Sequence, residues 1–405
     1  MGHVLVILLL FLSLKPTFAQ EKDYPLLAAV HDGDVWLYGF AGEPLRITDG
    51  TAARYANLVW SPDGNYLAFV ALDESFRASL WLYHLANHSL TLVDHDVPAG
   101  LPASFTDDMT LLFFNDVDPP GSDSGNPMEI SAFDVKGGTP TMTIATVDLG
   151  EGCGGGSSFA GDWRYWDETE ALGGFHSVLE YTAHGLLYST DCGYRTVLLD
   201  LETGEQTSLG HITRVALSPD RETLAGIRYQ PGSRRDDRLV TVNLETLATT
   251  LWETGEIPDQ VIWATPSALL FSTRQMTDRT AVSSPEALER INAVLGSSAQ
   301  TNTWQVSIRR LDLETNEDAE VYRADAYAIG RLGVARDGST LFSQVSNAEH
   351  WLNEIGEGRL DPSDPQRFLQ SVDLIPVQLF ALITGNEQGM LLGEGLLKAR
   401  LSPAQ

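Results

Sequence analysis

Trp60-Ser61-Pro62-Asp63-Gly64-Asn65-Tyr66-Leu67-Ala68-Phe69 reads as the end of one strand, a tight turn and the start of another. Proline pre-sets the backbone for the second turn position, and aspartate followed by glycine completes the reversal. The apolar run that follows is answered downstream by an alternating one, Leu80-Trp81-Leu82-Tyr83-His84-Leu85. Working outward, the turn recurs as Phe105-Thr106-Asp107-Asp108, Leu217-Ser218-Pro219-Asp220, Trp263-Ala264-Thr265-Pro266 and Val334-Ala335-Arg336-Asp337-Gly338, with a looser copy at Tyr181-Thr182-Ala183-His184-Gly185. After each comes an apolar second strand: Leu111 to Phe114, Leu186 to Tyr188, Thr223 to Ile227, Leu269 to Ser272 and Thr340 to Ser343. Third strands alternate and end in a different turn, as in Val197-Leu198-Leu199-Asp200-Leu201 before Glu202-Thr203-Gly204 and Val240-Thr241-Val242-Asn243-Leu244 before Glu245-Thr246.

A repeat of roughly 40 residues built from four short strands is the mark of a β-propeller. The predicted fold is all-β: seven blades of four antiparallel strands, with short helices confined to insertions. Units fall at 58–97, 101–148, 175–211, 212–254, 258–326 and 327–395, with an incomplete one at 27–50. Arg400-Leu401-Ser402-Pro403 reads as the first strand and turn of a further repeat. Pairing this C-terminal strand with the N-terminal blade would close the ring and remove exposed sheet edges.

Trp60 to Phe69, taken with Leu80 to Leu85, resembles the repeat of TolB-type, WD-repeat-like propellers, a repeat also found in the propeller domains of prolyl-oligopeptidase-like proteins. The resemblance covers nearly the whole chain after its first residues and implies a fold; it does not imply a function. TolB-type proteins carry an extra N-terminal α/β domain and the oligopeptidases an α/β-hydrolase domain. The chain is expected to have neither.

Val4 to Leu14 is an apolar run of signal-peptide length, ended by Lys15-Pro16 and followed by the small residues Thr17 and Ala19. Residues 1–19 are therefore expected to be a cleavable signal peptide, and 20–405 a single exported domain, secreted or periplasmic. No later segment is apolar for long enough to cross a bilayer, so stable membrane insertion is not expected. Formal charge is -29, and four lysines stand beside 22 arginines. A surface so acidic repels phosphate backbones, which weighs against nucleic acid as a partner.

In a four-stranded blade, first-to-second and third-to-fourth turns lie on one face of the disc. Second-to-third and blade-to-blade loops lie on the other, and every insertion belongs to this second class: 116–127, 151–174, 230–237, 276–302 and 347–373. Ser284 is placed to cap a helix from Pro285, with Ala287, Leu288, Ile291 and Leu295 on one side and Gly296 ending it. Asp364-Pro365 opens a second predicted helix, with Phe368, Leu369 and Val372 on its apolar side. Cys153 and Cys192 both fall in loops of the decorated face, and an even count in an oxidising compartment predicts a disulfide that staples the glycine-rich run 150–156.

Within the stapled loop, Asp162, Trp163, Arg164, Tyr165 and Trp166, with His176 beyond, combine aromatic faces with charged edges suited to a sugar ring or peptide. Asp116, Asp118 and Asp123 resemble the opening of a calcium loop. Pro120 and Pro127 occupy positions where an EF-hand needs ligands, and no metal site or cofactor is assigned. Nucleophile-elbow, zinc-helix and phosphate-loop motifs are absent from the sequence. The reading is an exported binding scaffold with a protein, carbohydrate or peptide partner on the loop-rich face. Its rivals are a propeller hydrolase or lyase acting on carbohydrate or peptide, and a structural subunit of an envelope complex; oligomeric state is left open.

Overall fold

The computed structural model describes residues 27–39, 43–50, 52, 54–74, 77–95, 97–98, 101–116, 128–138, 141–149, 178–190, 195–228, 237–280, 284–295, 302–326, 328–334, 340–345, 349–359, 377–382, 390–394 and 397–401. They form seven four-stranded antiparallel sheets, the blades of a propeller. Blade 2 shows the pattern: an inner strand Arg54–Trp60, a second Tyr66–Leu72, a third Ala78–His84 and an outer Ser89–His95. Blades 3 to 7 repeat it over Ala103–Val147, Leu179–Gly210, Ile212–Trp252, Pro258–Ala326 and Ala328–Glu394.

Blade 1 takes its second, third and outer strands from Leu27–His31, Asp34–Tyr38 and Leu45–Arg46. Its inner strand is Leu397–Leu401, which lies antiparallel to Leu27–His31 with Leu27 opposite Leu401 and Val30 opposite Leu397. Leu379 of blade 7 packs on Leu27 and Ala29 of blade 1.

Burial follows position in the blade. Second strands are apolar on both sides because a neighbouring blade covers each face; Leu67, Ala68, Phe69 and Val70 are all buried. Leu187 and Leu198 of blade 4 pack with Ile212, Leu224 and Val240 of blade 5. Ala225 and Leu239 of blade 5 pack in turn with Val261, Leu269 and Phe271 of blade 6. Outer strands meet solvent, and Leu90, Met142 and Leu251 are exposed there.

The turns at one end of the strands are clamped by short polar side chains. Ser61 Oγ donates to Asp63 Oδ1 at 2.6 Å and accepts from the Tyr66 amide at 2.9 Å, while the Asn65 amide donates to Asp63 at 3.0 Å. Thr106 with Asp108, and Ser218 with Asp220, repeat the device. At the end of the third strand a second clamp appears: Asp200 accepts the Glu202 and Thr203 amides at 2.8 and 3.0 Å, and Asp312 those of Glu314 and Thr315 at 3.0 and 2.9 Å. These carboxylates organise turns, as the sequence suggested for Asp63 and Asp220; Asp337 lies outside the described residues.

Two helices are present among the described residues. α1, Pro285–Leu295, starts at the predicted cap: Ser284 Oγ accepts the Ala287 amide at 3.3 Å and donates to Glu286 at 2.9 Å. Its Ile291 is fully buried, with Ala287 and Leu288 partly so. The insertion that holds α1 is shorter than predicted, because the flanking strands of blade 6 run on to Thr280 and start again at Asn302. α2, Glu349–Gly356, was not anticipated, and the helix expected from Asp364 lies outside the described residues. No described helix is long and apolar enough to cross a membrane.

Candidate functional site

Strand ends sort the connections onto two faces. At the clamped end the longest links are 135–141 and 383–389; at the other end stand 117–127, 148–178, 229–237, 281–301 and 346–376. The decorated face is thus defined by the strands themselves.

Two insertions meet on it. α1 from blade 6 and α2 from blade 7 pack together, with Arg290 Nη1 donating to the Gly356 carbonyl at 2.8 Å and Leu352 and Ile355 buried. The approach is close: a Cβ on Gly356 would stand 2.8 Å from Ala287 Cβ and 3.4 Å from Ile291 Cδ1. Arg359 closes the end of α2 onto Glu354, 2.5 Å from Oε1. The buried side chains of the pair, Ile291, Leu352 and Ile355, belong to one apolar cluster with Val345 of blade 7 and residues of blades 1 to 3, among them Tyr55 and Leu58.

Nearer the axis lies a charged group the sequence reading missed. Arg214 on the inner strand of blade 5 bonds to both the carbonyl and the carboxylate of Asp259 on the inner strand of blade 6. Arg274 approaches the same carboxylate at 3.4 Å, and its guanidinium lies 5.1 Å from the centroid of the Trp304 ring. Two guanidiniums thus converge on one carboxylate. All three charged side chains are four-fifths buried or more, so the field they set up is weakly screened. Thr277 Oγ1, beside the insertion, donates to the Thr303 carbonyl at 2.8 Å. Arg214 and Asp259 are 45 residues apart, and only packing between blades brings them together.

Asn57 on blade 2 mirrors Arg214. Both have positive φ, 50° and 54°, and both stand first in a bulge of the inner strand. Each donates across to the next blade: Asn57 Nδ2 reaches the Leu101 carbonyl at 2.8 Å. A bulge re-aims the side chain it carries, here from its own blade toward its neighbour.

Of the sequence-predicted site, Asp162, Trp163, Arg164, Tyr165, Trp166 and His176 lie outside the described residues, as do Cys153, Cys192, Asp118 and Asp123. The bases of the two cysteine loops are described, and they are joined. Thr190 Oγ1 donates to the Asp148 carbonyl at 3.2 Å, and the Val178 amide to Ser189 Oγ at 2.8 Å. Tyr188 beneath them has its phenol pushed up to about 12 by burial and by Asp148. Asp116 ends the second strand of blade 3. The neighbouring Asn115 donates to Asp94 at 3.2 Å and Ser131 at 3.1 Å. Among the described residues no group of three or more metal-ligating side chains occurs.

A further titratable group sits on the decorated end of blade 1. His31 Nδ1 is 2.6 Å from Tyr38 Oη, and Trp36 Nε1 donates to the His31 carbonyl at 2.9 Å. Burial, with Asp32 nearby, raises the Tyr38 phenol to about 12, so it stays a neutral hydrogen-bonding group at physiological pH.

These features define a seven-bladed β-propeller with one decorated face. No family model matches the sequence, and no curated protein matches it. Among solved structures, the chain is similar to a putative 6-phosphogluconolactonase from Bacteroides uniformis, at 9% identity and a TM-score of 0.51, covering 94% of this chain and 100% of that one. It is similar to a structure from a study of two prolyl endopeptidases at 12% identity and a TM-score of 0.52, covering 94% of this chain and 50% of that one. TolB from Acinetobacter baumannii aligns at 12% identity and a TM-score of 0.42, over 74% of this chain and 63% of that one. The chain thus spans less than two thirds of that TolB's length. Identities this low speak to the fold alone.

Proposed function

We propose that the chain is an exported binding scaffold that holds a carbohydrate, peptide or protein partner on its decorated face. The observation that carries this reading is the one-sidedness of the insertions. Every connection longer than seven residues leaves the same ends of the strands, while the opposite ends are tied down by Ser–Asp and Asp–amide clamps. Loops carried on a rigid scaffold are where proteins place recognition, and loops longer than about 12 residues within a compact domain are usually either functional or disordered. A docked helical pair, a buried Arg–Asp–Arg cluster and joined loop bases supply the support such loops need.

The test is a carbohydrate and peptide library screened by direct binding, repeated with one variant on each face. Trp163→Ala or Trp166→Ala is expected to weaken any ligand found, while Asp63→Asn on the clamped face leaves it unchanged. Loss on the clamped face alone would overturn the assignment of the face.

A further inference from the structure

Asn57 and Arg214 do the same structural task with different amounts of chemistry. Each stands first in a bulge of an inner strand at positive φ, and each donates to a backbone carbonyl of the next blade, Leu101 and Asp259. At Asn57 one amide nitrogen makes the bridge. At Arg214 the bridge runs through Nη1 alone, which bonds to both the carbonyl and the carboxylate of Asp259.

A guanidinium carries five N–H groups, and those two bonds use the pair on Nη1. The remaining three belong to Nε and Nη2, which lie side by side as a two-pronged edge matching two oxygens of a carboxylate or phosphate. Among the described residues no acceptor meets that edge. Water reaches it. The Arg214 side chain is 15% exposed, and the described side-chain atoms buried without a partner are His211 Nδ1 and Ser272 Oγ, not these nitrogens.

The edge is also placed and held. Arg214 is the third residue of its inner strand and Asp259 the second of the next, counted from the decorated end, so the pair sits near the axial mouth on the face that carries the insertions. A positive φ is uncommon for a residue with a side chain and persists where the surroundings over-determine it; here they do so through the two bonds to Asp259. The negative charge of that anchor would repel an incoming anion. Arg274 opposes it, approaching the same carboxylate at 3.4 Å while its guanidinium lies 5.1 Å from the centroid of the Trp304 ring. A donor locked from behind by a carboxylate, with its free prongs open, is the arrangement a preorganised site requires. Bridging the blades needs one nitrogen, as Asn57 shows, and the second edge of Arg214 is surplus to that task.

From this surplus we propose that the decorated end of the joint between blades 5 and 6 binds a small ligand bearing a carboxylate or phosphate group. The oxyanion accepts two parallel hydrogen bonds from Nε and Nη2 of Arg214, and Asp259 is the positioning residue. This rests on the decorated face being the binding face, and it adds the chemical class of one ligand held there. A formal charge of -29 repels anions at long range, so recognition comes from the short-range fork and not from the overall field. Geometry, more than charge, is what the site supplies.

The experiment is calorimetric titration of the full-length protein with glucuronate and with glucose 6-phosphate, which present the two oxyanions on one ring; glucose is the same ring uncharged. At least one of the charged sugars binds with one-to-one stoichiometry, which names the recognised group, and glucose gives no heat. Arg214→Lys keeps the charge and one donor for Asp259 but has no second prong, so binding weakens roughly tenfold, the loss of one charge-assisted hydrogen bond. Arg310→Gln, exposed toward the clamped end of the third strand of blade 6, leaves affinity unchanged. Should Arg214→Lys fail to fold, the parent decides: the bound sugar protects Arg214 from modification by phenylglyoxal, read by peptide mass spectrometry. Absence of heat with both charged sugars, equal binding of glucose, a folded Arg214→Lys that binds like the parent, or an unprotected Arg214 would each overturn the proposal. A sugar or peptide held by the decorated face and indifferent to Arg214→Lys would sink the oxyanion site and leave the assignment of the face standing.

Discussion

Gly356→Ala places two opposed effects at one contact, and their sizes can be worked out. In a helix, alanine is favoured over glycine by up to about 1 kcal/mol, so an open site would be stabilised. At the end of α2 the new Cβ would stand 2.8 Å from Ala287 Cβ, far inside the ordinary carbon–carbon separation of about 3.5–4.0 Å. Overpacking of this kind costs about 1–3 kcal/mol, and the opposing atom is a backbone-attached methyl that cannot swing aside. The clash wins, and the α1–α2 pair is loosened by about 1–2 kcal/mol. Because the pair is a local unit, the loss appears first as faster amide hydrogen exchange at Ile291, by roughly 5–30-fold. Ala287→Gly removes the opposing methyl and costs about 1 kcal/mol by itself. The double variant Ala287→Gly with Gly356→Ala is then expected to be no worse than Ala287→Gly, a favourable coupling of about 1–2 kcal/mol. A neutral or stabilised Gly356→Ala, or a double variant whose losses simply add, would refute the packing of the two insertions described above.

The turn clamps make an acid-stability prediction. Burial raises the Asp63 carboxyl, but hydrogen bonds from Ser61 and Asn65 outweigh it and leave it below its usual value; the Ser218 hydroxyl and Glu222 amide lower Asp220. A carboxyl depressed on folding stabilises above its unfolded pKa and loses that contribution as pH falls through the folded one. Asp220→Asn should thus flatten the acid limb of a stability–pH curve below about pH 4, and an unchanged limb counts against the clamp. At Asn57, with φ of 50°, Asn57→Gly keeps the backbone unstrained and loses the side-chain bond to Leu101, about 1 kcal/mol. Asn57→Ala adds about 1 kcal/mol of left-handed strain, so in urea titrations alanine should be the worse variant, and equal midpoints would argue against the bulge geometry. Thiol titration of the folded protein should find no reactive group before reduction; two free thiols would exclude the Cys153–Cys192 disulfide.

What the sequence revealed and what it hid divide along physical lines. Turns depend on residues a few positions apart, so Ser61 to Gly64 and its copies announced the blades, and Ser284-Pro285 announced α1. α2 escaped because eight residues offer only Leu352 and Ile355 to the core among its described buried side chains, too few to establish a period of 3.6. The Arg214–Asp259–Arg274 group was invisible for another reason. Its members belong to three strands of two blades, and a two-residue alternation says which side of a strand a residue takes, not which blade it meets. The bulge at Arg214 breaks even that alternation, as it does at Asn57. A faint signal existed: Asn57, Arg214 and Lys398 each stand four residues before the turn serine, Ser61, Ser218 and Ser402. Alignment of the repeats on that serine, rather than on the apolar strands, would have brought them into one column.

That column also shows two ways for a bulge residue to reach the next blade. Arg214 does it with charge, sharing the Asp259 carboxylate with Arg274, and Asn57 does it without charge, donating to the Leu101 carbonyl. The two should fail differently. Removing one partner from a largely buried ion pair costs more than removing a neutral hydrogen-bond donor, so Arg214→Gln should lower the urea midpoint further than Asn57→Gly. Equal midpoints would show the Arg214–Asp259 contact to carry no structural weight.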